Sequence, residues 1–334
     1  MINFAIKLFK EFEHKNVIFS PPSIVSTLMM IAAGADGDTK KEIDSIIKNI
    51  PHFTTSKQLQ LVNRIYIDEL IKYTNTFKQN VSKMNADIVG VNFKNTQYVT
   101  NLINSWIYEA TSIDNFINAI DEQTRIMMVN AISFTGEWCN KFDSSDNVNK
   151  KFKSGKNNVK IVKMMMGEMY TNVGTLCDIN ATIVELKYKN KYNMVIIMPN
   201  DVEGLQTMIQ SLTSEKFNEW VSSMSQKNIC LYIPKFNIQQ TIDLQYYLPK
   251  LGIHSVTSNI NLSKISKNCF DQPKFMHKSY VNVDEEGTKA AAVSCFSVIN
   301  FSCVERDIIK INKPFMFCIR KNNNIVFMGK VVSL

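Results

Sequence analysis

The segment Val283–Val304 reads VDEEGTKAAAVSCFSVINFSCV. Its first five residues include three acids and a glycine, three alanines follow, and its end is apolar, β-branched or small. One interpretation is a short helix with Thr288 as its N-cap and Ala290–Ala292 in its first turn. The other is a long loop, because no clear element follows before Ile308–Ile311. An ordered loop of about twenty residues is uncommon in a compact domain, so such a loop predicts a function of its own.

The composition indicates a folded chain with a large core. Of the 334 residues, 45% are hydrophobic and 20% are charged, which excludes a disordered chain. No run approaches the ~20 apolar residues that span a bilayer, so we expect no membrane partner. Charged residues at Lys7, Lys10, Glu11 and Glu13 interrupt the N-terminal apolar residues, which predicts an amphipathic helix and not a signal peptide. We therefore expect a protein that is not secreted.

Strands and helices are mixed along the chain without regular alternation. The β-rich apolar runs are Ile126–Phe134, Ile183–Leu186, Asn193–Met198 and Ile229–Ile233, and the helical patterns are Asn104–Ile117 and Leu205–Met224. No low-complexity linker, internal repeat or change of composition divides the sequence. The pattern predicts an α+β fold in a single domain, residues 1–334.

The sequence contains no convincing enzyme motif. The four histidines are isolated, and there is no GxSxG, no GxGxxG and no glycine-rich phosphate loop. Seven scattered cysteines without a CxxC pair favour free thiols over a disulfide framework or a zinc site. We therefore expect no catalytic residues, no metal and no cofactor, with a dispersed triad left open because triads follow geometry and not chain order.

The net charge of +8 raises the question of a nucleic-acid partner. Most lysines are dispersed, and the one cluster lies between Lys150 and Lys163. Charge runs are usually solvated faces, so we do not expect this cluster to bind nucleic acid.

Several motifs resemble the serpin family, in the order in which that family has them. Asn16–Ile24 (NVIFSPPSI) resembles the entry to helix B, and Ile103-Asn104-x-Trp106 resembles the helix F motif. Further motifs are Gly34-Ala35-x-Gly37-x-Thr39, Val129–Ile132, Phe134-x-Gly136-x-Trp138, Met164–Met166, Glu185-Leu186-x-Tyr188, Met198-Pro199, Pro234–Phe236, Leu251–Ile253, His277-Lys278 and Asn312–Phe315. By their joint order the chain is identified as a member of this family.

The resemblance implies a serpin fold with three β-sheets, of which sheet A is the largest, and about eight helices. It also implies an exposed reactive-centre loop at about residues 285–305. Little room remains between the helix C pattern Lys40–Ile50 and the strand pattern Leu61–Ile67, so helix D is expected to be missing. That helix carries the glycosaminoglycan site of heparin-activated serpins, so no such partner is expected. Lys187 stands where the family usually has proline.

In inhibitory serpins the loop is cut by a protease and then enters sheet A as a new strand. Alternate side chains of such a strand face the core, and those from Thr288 to Ser294 are all small. Lys289 falls on the other face, and Gly287 permits unusual hinge dihedrals. The resemblance therefore implies a hinge made of Glu285, Glu286, Gly287, Thr288, Ala290, Ala291, Ala292 and Ser294.

Two further clusters follow from the resemblance alone. The shutter is a hydrogen-bonded group beneath the point where sheet A opens, and its matching residues are Ser20, Ser23, Asn130 and His277. The breach lies at the top of the sheet, and its matching residues are Trp138, Lys235 and Glu285. A buried histidine or a lone tryptophan can also be an ordinary core residue, so these roles are expectations.

The position of the cleaved bond has two answers. Counting forward from the hinge glycine places the residue before the cut (P1) at Phe301 and the next residue at Ser302. Counting back from Asn312, or matching the shorter loop of a cowpox relative, places P1 at Asn300 instead. We prefer Phe301, since an aromatic P1 fits an apolar S1 slot. Asn300-Phe301-Ser302 is also a glycosylation sequon, and a glycan there would obstruct a protease.

The expected partner is a chymotrypsin-like serine protease, held by a monomeric inhibitor in a covalent complex. With Asn300 as P1, the target would instead be an asparaginyl or other cysteine protease. A non-inhibitory serpin that acts as a binding or decoy module is the remaining alternative. The short chain and missing helix D are most similar to intracellular poxvirus serpins, which implies immune or apoptosis modulation in the cytoplasm of an infected host cell.

Overall fold

The computed structural model describes residues 1–48, 50, 56–267, 270, 273–288 and 307–334. The chain forms two compact units, of which the first comprises residue 1 with residues 19–133 and 239–280. Its helices are α2 (Pro21–Gly34), α3 (Gly37–Ile47), α4 (Asn75–Ser82), α5 (Thr96–Thr111), α8 (Leu244–Tyr247) and α9 (Ser255–Ser258). Its strands are β2 (Leu59–Asp68), β3 (Ala86–Val91), β4 (Ile126–Phe134), the second half of β11 (Phe236–Asp243) and most of β12 (Lys274–Val283).

The strands of the first unit form a largely buried sheet in the order β3-β2-β4-β12. Strands β4 and β12 are parallel, with Lys274–Tyr280 paired to Met127–Ser133. Every residue of β4 is buried, as expected for a central strand that is covered on both faces. The run Ile126–Phe134, predicted as a strand, is β4 itself.

Helix α5 packs against this sheet and closes its core. Its buried side chains recur at helical spacing, at Val99, Ile103 and Ile107, and contact a cluster that includes Tyr66 and Val129. The helix ends at Thr111, and the following Ser112 takes a left-handed conformation. The observed helix begins at Thr96, before the predicted start at Asn104. It also ends before the predicted Ile117, because the chain leaves the helix after Ser112 and adds Ile113, Phe116 and Ile117 to the core.

The second unit comprises residues 2–18, 134–238 and 281–334. Its helices are α1 (Ile2–Lys10), α6 (Gly204–Ser211) and α7 (Ser214–Ser222). Its strands are β1 (Val17–Phe19), β5 (Gly136–Glu137), β6 (Val148–Lys153), β7 (Val159–Leu176), β8 (Ala181–Lys187), β9 (Tyr192–Pro199), β10 (Ser225–Pro234), β13 (Gly287–Thr288), β14 (Asp307–Lys310), β15 (Phe315–Lys321) and β16 (Asn324–Val331).

Most strands of the second unit belong to one continuous sheet in the order β1-β16-β15-β9-β8-β7-β10-β14, with β6 also paired to β7. Strand β7 is 18 residues long and pairs with β6, β10 and β8 along successive stretches. Among the described residues, backbone pairing links the strands into two continuous networks, and β7 is shared by β6, β10 and β8.

The predicted helix Leu205–Met224 is two helices, α6 and α7. The break lies at Leu212 and Thr213, where the Thr213 hydroxyl accepts a hydrogen bond from the Lys216 backbone N–H and caps α7. The amphipathic N-terminal helix is confirmed as α1, whose Phe4, Leu8 and Phe9 are buried. Residues 49 and 51–55, on which the expectation of a missing helix D falls, lie outside the described residues.

The packing of α5 predicts that Ile107→Ala destabilises the protein by about 2–5 kcal/mol, because the fully buried side chain leaves a cavity. Ser105→Ala, on the exposed face of the same helix, should change the free energy of unfolding by less than about 0.5 kcal/mol. Urea denaturation followed by circular dichroism measures both. Equal effects would show that α5 does not anchor the core.

Candidate functional site

Within the segment Val283–Val304, the structure describes a short strand at Gly287 and Thr288, and the alternative helix at Ala290–Ala292 lies outside the described residues. Gly287 and Thr288 form β13, which pairs antiparallel with β5 on one side and with Val283 of β12 on the other. Thr288 is completely buried. The hinge residues Ala290, Ala291, Ala292 and Ser294 and the candidate cleavage residues Asn300, Phe301 and Ser302 lie outside the described residues.

A tight turn delivers the chain into β13. The Asp284 carboxylate accepts hydrogen bonds from the backbone N–H groups of Glu286 (3.0 Å) and Gly287 (3.2 Å). The Asp284 N–H in turn donates to the Gly287 carbonyl at 2.9 Å. Burial raises the pKa of Asp284 although these hydrogen bonds oppose the rise. The side chain of Asp284 thus bonds to the backbone of the turn that precedes β13.

Glycine is required at position 287 for two reasons. Its φ of +148° lies in a region that other residues resist. A Cβ atom there would also come within 2.0 Å of the Gly136 carbonyl oxygen, which belongs to the neighbouring strand β5. The hinge backbone therefore packs directly against backbone.

An aromatic stack covers the buried hydroxyl of Thr288. Its Oγ1 lies 2.7 Å from the hydroxyl of Tyr188, and burial raises the pKa of that tyrosine. The Tyr188 ring stacks on Trp138 with centroids 4.1 Å apart, and it meets Phe134 edge-on at 5.1 Å. The Trp138 indole N–H donates to the Asp284 carbonyl at 2.9 Å. Trp138 therefore connects the hinge turn with the aromatic cover of Thr288.

Ion pairs surround the same turn. Lys235 donates to both carboxylate oxygens of Glu285, at 2.7 and 3.0 Å, and Asn147 donates to the same group. Burial alone would raise the pKa of Glu285, but the hydrogen bonds from Lys235 and Asn147 outweigh it and hold the pKa below its usual value. Lys141 pairs with Glu286. The structure thus brings together Trp138, Lys235 and Glu285, the three residues expected at the breach.

A second polar cluster lies in the first unit, and the four residues expected at the shutter are all completely buried. The Ser23 hydroxyl donates to the Asn130 side-chain oxygen, and His277 Nδ1 lies 2.8 Å from that oxygen. Ser20 contributes its backbone N–H, which donates to His277 Nε2 at 3.3 Å, while its hydroxyl has no partner among the described residues. Nε2 is therefore an acceptor and Nδ1 carries the proton.

His277 is neutral in this cluster, because burial lowers its pKa to about 3. A neutral ring fits the surroundings, because one ring nitrogen donates to the Asn130 side-chain oxygen and the other accepts from the Ser20 N–H. The cluster therefore joins α2, β4 and β12 without a charge on the histidine.

Comparison with known proteins identifies the family. The model of the family Serpin, serine protease inhibitor, matches residues 1–334. The chain belongs to the serpin family. It is 33% identical to serine proteinase inhibitor 1 of vaccinia virus, strain Copenhagen, over 95% of each chain. It is 28% identical to human serpin B4 over 99% of this chain and 97% of that one.

Solved serpin structures have the same fold. Human thyroxine-binding globulin has a TM-score of 0.87 at 26% identity, with 99% of this chain and 96% of that chain covered. Uncleaved ovalbumin has a TM-score of 0.86 at 24% identity, with 100% and 98% covered. The α+β serpin fold and the similarity to poxvirus serpins are therefore confirmed.

Several residues of this serpin's polar clusters were missed in the sequence. Asn63 joins the buried cluster around His277, since its side-chain oxygen accepts from Asn130 at 2.7 Å and its amide donates to Ser26 at 2.9 Å. Tyr188 hydrogen-bonds to Thr288 of β13, and Asp284 accepts from the Glu286 N–H in the turn before it. An aspartate three residues before a glycine is a turn signal that could have indicated Asp284. Asn63 had no such signal.

Among the residues that the structure describes, every helix is too short or too polar to span a bilayer. In the same residues, no three side chains of histidine, cysteine, aspartate or glutamate lie together in a way that could hold a metal ion.

The buried shutter histidine predicts a loss of stability in acid. The unfolded chain takes up a proton on His277 near its ordinary pKa of 6.5, whereas the folded protein resists until about pH 3. Folding stability should therefore fall as the pH falls from about 6.5 towards 3, by up to about 1.4 kcal/mol per pH unit from this residue.

Urea unfolding at pH 7, 6, 5 and 4 measures this slope. His277→Asn should flatten it, and His254→Asn, at an exposed position, should leave it unchanged. An equal slope in wild type and His277→Asn would show that the shutter does not carry the acid sensitivity.

The hinge geometry predicts that Gly287→Ala disrupts β13. Two other glycines serve as controls that separate backbone strain from steric clash. Gly252 has a positive φ but open space around it, and Gly155 has neither a positive φ nor a close neighbour. We expect Gly252→Ala to cost about 1 kcal/mol and Gly155→Ala almost nothing. Gly287→Ala should cost about 3 kcal/mol or more, since strain and a backbone clash add. Thermal unfolding measures all three variants, and equal effects at positions 287 and 252 would contradict the clash.

Proposed function

We propose that this serpin is a suicide-substrate inhibitor of a host serine protease. The observation that carries the proposal is β13, in which Gly287 and Thr288 already lie between β5 and the end of β12. The start of the loop thus occupies the place of a sheet strand. Further residues would have to enter between β4 and β12, which pair with each other over Met127–Ser133 and Lys274–Tyr280.

The proposed reaction begins with attack by the protease serine on the carbonyl carbon of Phe301. The peptide bond to Ser302 breaks, the new amine leaves with a proton supplied by the protease's general acid, and an acyl-enzyme ester remains. Insertion of the loop behind Thr288 then carries the protease away before water hydrolyses the ester. Asn300 is the alternative acyl position, which would select an asparaginyl or other cysteine protease.

The side chains in the sequence fit insertion. Thr288 points into the core beside Tyr188. Alternate residues of a strand share a face, so Ala290 and Ala292 would point into the same core after insertion. All three are small. Lys289 would project to the opposite face, where its charge can stay hydrated. We assign the hinge role to Glu285–Ser294 and the positioning roles to the shutter and breach residues on this basis.

We further propose a cytoplasmic, monomeric inhibitor that modulates immunity or apoptosis in an infected cell. Similarity to poxvirus serine proteinase inhibitors supports the viral role. Cys139, Cys177, Cys230 and Cys318 are free thiols, which supports a reducing compartment. A non-inhibitory serpin is the second candidate, since family membership alone does not require a trapped protease.

Incubation with chymotrypsin tests the inhibitor. A covalent complex should survive denaturing electrophoresis, and the first residue of the released C-terminal peptide identifies the cut: Ser302 for P1 at Phe301, and Phe301 for P1 at Asn300. Clean cleavage without a complex across a panel of serine and cysteine proteases would support the non-inhibitory alternative.

Ala292→Arg should turn the inhibitor into a substrate. Position 292 lies an even number of residues after the buried Thr288, so insertion would bring an unpaired charge into the core at a cost of several kcal/mol and should slow by about 100-fold or more. The covalent band should be replaced by the cleaved form, while Ala292→Ser, which keeps a small residue, should still trap the protease. Undiminished trapping by Ala292→Arg would contradict insertion.

A further inference from the structure

A cavity lies among three helices of the first unit. Helices α3 and α4 both pack against α2, and the cavity that the three helices line has a volume of about 810 Å³. The C-terminal half of α2 contributes Met29, Ala32 and Ala33 to its lining. Protein pockets that hold small molecules usually have volumes of about 300–1,000 Å³. The cavity is therefore large enough for a small organic ligand.

The lining of the cavity is largely apolar. Phe77 of α4, Met84 just after it and Ile47 at the end of α3 all contribute side chains. Phe77 is almost completely buried, whereas Met29 and Met84 are only partly covered. An apolar group that covers the two methionines would remove their surface from water, which the hydrophobic effect favours. Methionine side chains are also flexible enough to fit ligands of different shape.

The cavity extends along the helices for about two turns. Lys40 and Ile47 line it from α3, and Thr76 and Lys83 line it from α4 and the residue that follows its last turn. Each pair is seven residues apart, which corresponds to about 10 Å along a helix. A stable protein–protein interface needs about 800 Å² on each partner, far more than such a short trough provides. The dimensions therefore favour a small extended molecule over a protein partner.

The charges around the cavity are balanced except at one end. Lys264 pairs with Asp36 at 3.0 Å, and Lys40 pairs with Asp44 at 2.5 Å. Lys83 also lines the cavity, and it has no ion pair among the residues that the structure describes. One cationic group at the C-terminal end of α4 is thus available to an anion.

A second hydrogen-bond donor lies beside Lys83. Asn80 is three residues earlier, on the same face of α4, and it lines the same cavity. In the described part of the chain its side-chain amide makes no hydrogen bond. A carboxylate has two acceptor oxygens, so it can accept from the ammonium group and from the amide together. A cationic ligand would be repelled at this end.

We propose that this cavity binds a small amphiphilic carboxylate, with the chemistry of a free medium-chain fatty acid. The carboxylate accepts hydrogen bonds from Lys83 and Asn80, and the apolar chain lies along Met29, Ala33 and Phe77. The ligand is recognised as one negative charge joined to one apolar body, because the cavity offers one unpaired cation beside a largely apolar lining. The inference uses no residue of the shutter, the breach or the hinge, so it does not depend on the proposed inhibition.

Isothermal titration calorimetry with sodium octanoate and sodium decanoate tests the charge. We expect saturable binding of one carboxylate per chain. Lys83→Gln should weaken carboxylate binding by about threefold to fivefold, as expected for loss of a solvent-exposed ion pair, and should leave the binding of uncharged octanol unchanged. Lys78→Gln removes the same charge from an exposed position of α4 that does not line the cavity, and it should leave both ligands unaffected.

Two further measurements distinguish a bounded site from adsorption to the surface. Each methylene group added between octanoate and decanoate should tighten binding by up to about fourfold, and the gain should end once the chain exceeds the cavity. Ala33→Phe, which fills the cavity from α2, should abolish binding. If circular dichroism shows that Ala33→Phe does not fold, the comparison of Lys83→Gln with Lys78→Gln still decides. Binding that continues to tighten through tetradecanoate would contradict a bounded site.

Four other results would overturn the inference. Two are the absence of binding at about 1 mM decanoate and equal effects of Lys83→Gln and Lys78→Gln. The third concerns residues 51–55, which follow α3 and lie outside the described residues. If decanoate binds only to the variant Phe53→Ser, the chain's own residues occupy the cavity. The fourth is binding to phosphatidylserine vesicles that Lys83→Gln abolishes, without binding of soluble decanoate, which would assign this lysine to a membrane surface.

Discussion

The site depends on the requirement that buried backbone groups be hydrogen-bonded. An N–H or C=O group removed from water without a partner costs free energy comparable to a lost hydrogen bond. Gly287 and Thr288 meet this requirement by pairing with β5 and with Val283. The Asp284 turn, the glycine at 287 and the aromatic cover of Thr288 all serve to bring these two residues into register. Without that pairing, the buried position of Thr288 would have no support.

The two polar clusters limit the cost of burying polar side chains in different ways. The shutter is completely buried and its histidine is neutral, because a protonated ring would face the N–H of Ser20 and lose the solvation that water gives a charge. The breach uses charges, and it can do so because Lys235 retains 37% exposure of its side chain, which limits the desolvation cost. A neutral network fixes one arrangement of strands firmly. Ion pairs at a partly wet edge can exchange their partners for water when the chain between them moves.

The sequence was a good guide where one local rule decides the structure. Thr288 lies on a buried face, as the period-2 pattern of small residues indicates, and the pair of Lys235 with Glu285 forms where the resemblance expects it. The sequence was a poor guide where the register between distant strands determines which side chains meet. Asn63 meets Asn130 only because β2 and β4 are neighbours, and no local pattern states which residues face each other.

The contacts made by backbone groups could not be predicted from the sequence either. Ser20 was expected in the shutter by its match to the family, but it acts there through its N–H, a group that every residue except proline has. Strand β7 pairs with β6, then with β10 and then with β8 along its length. The side-chain pattern of a strand does not show where one partner ends and the next begins. The match to the family therefore indicated some members of these clusters but not Asn63, Tyr188 or Asp284, whose contacts depend on how distant segments of the chain pair.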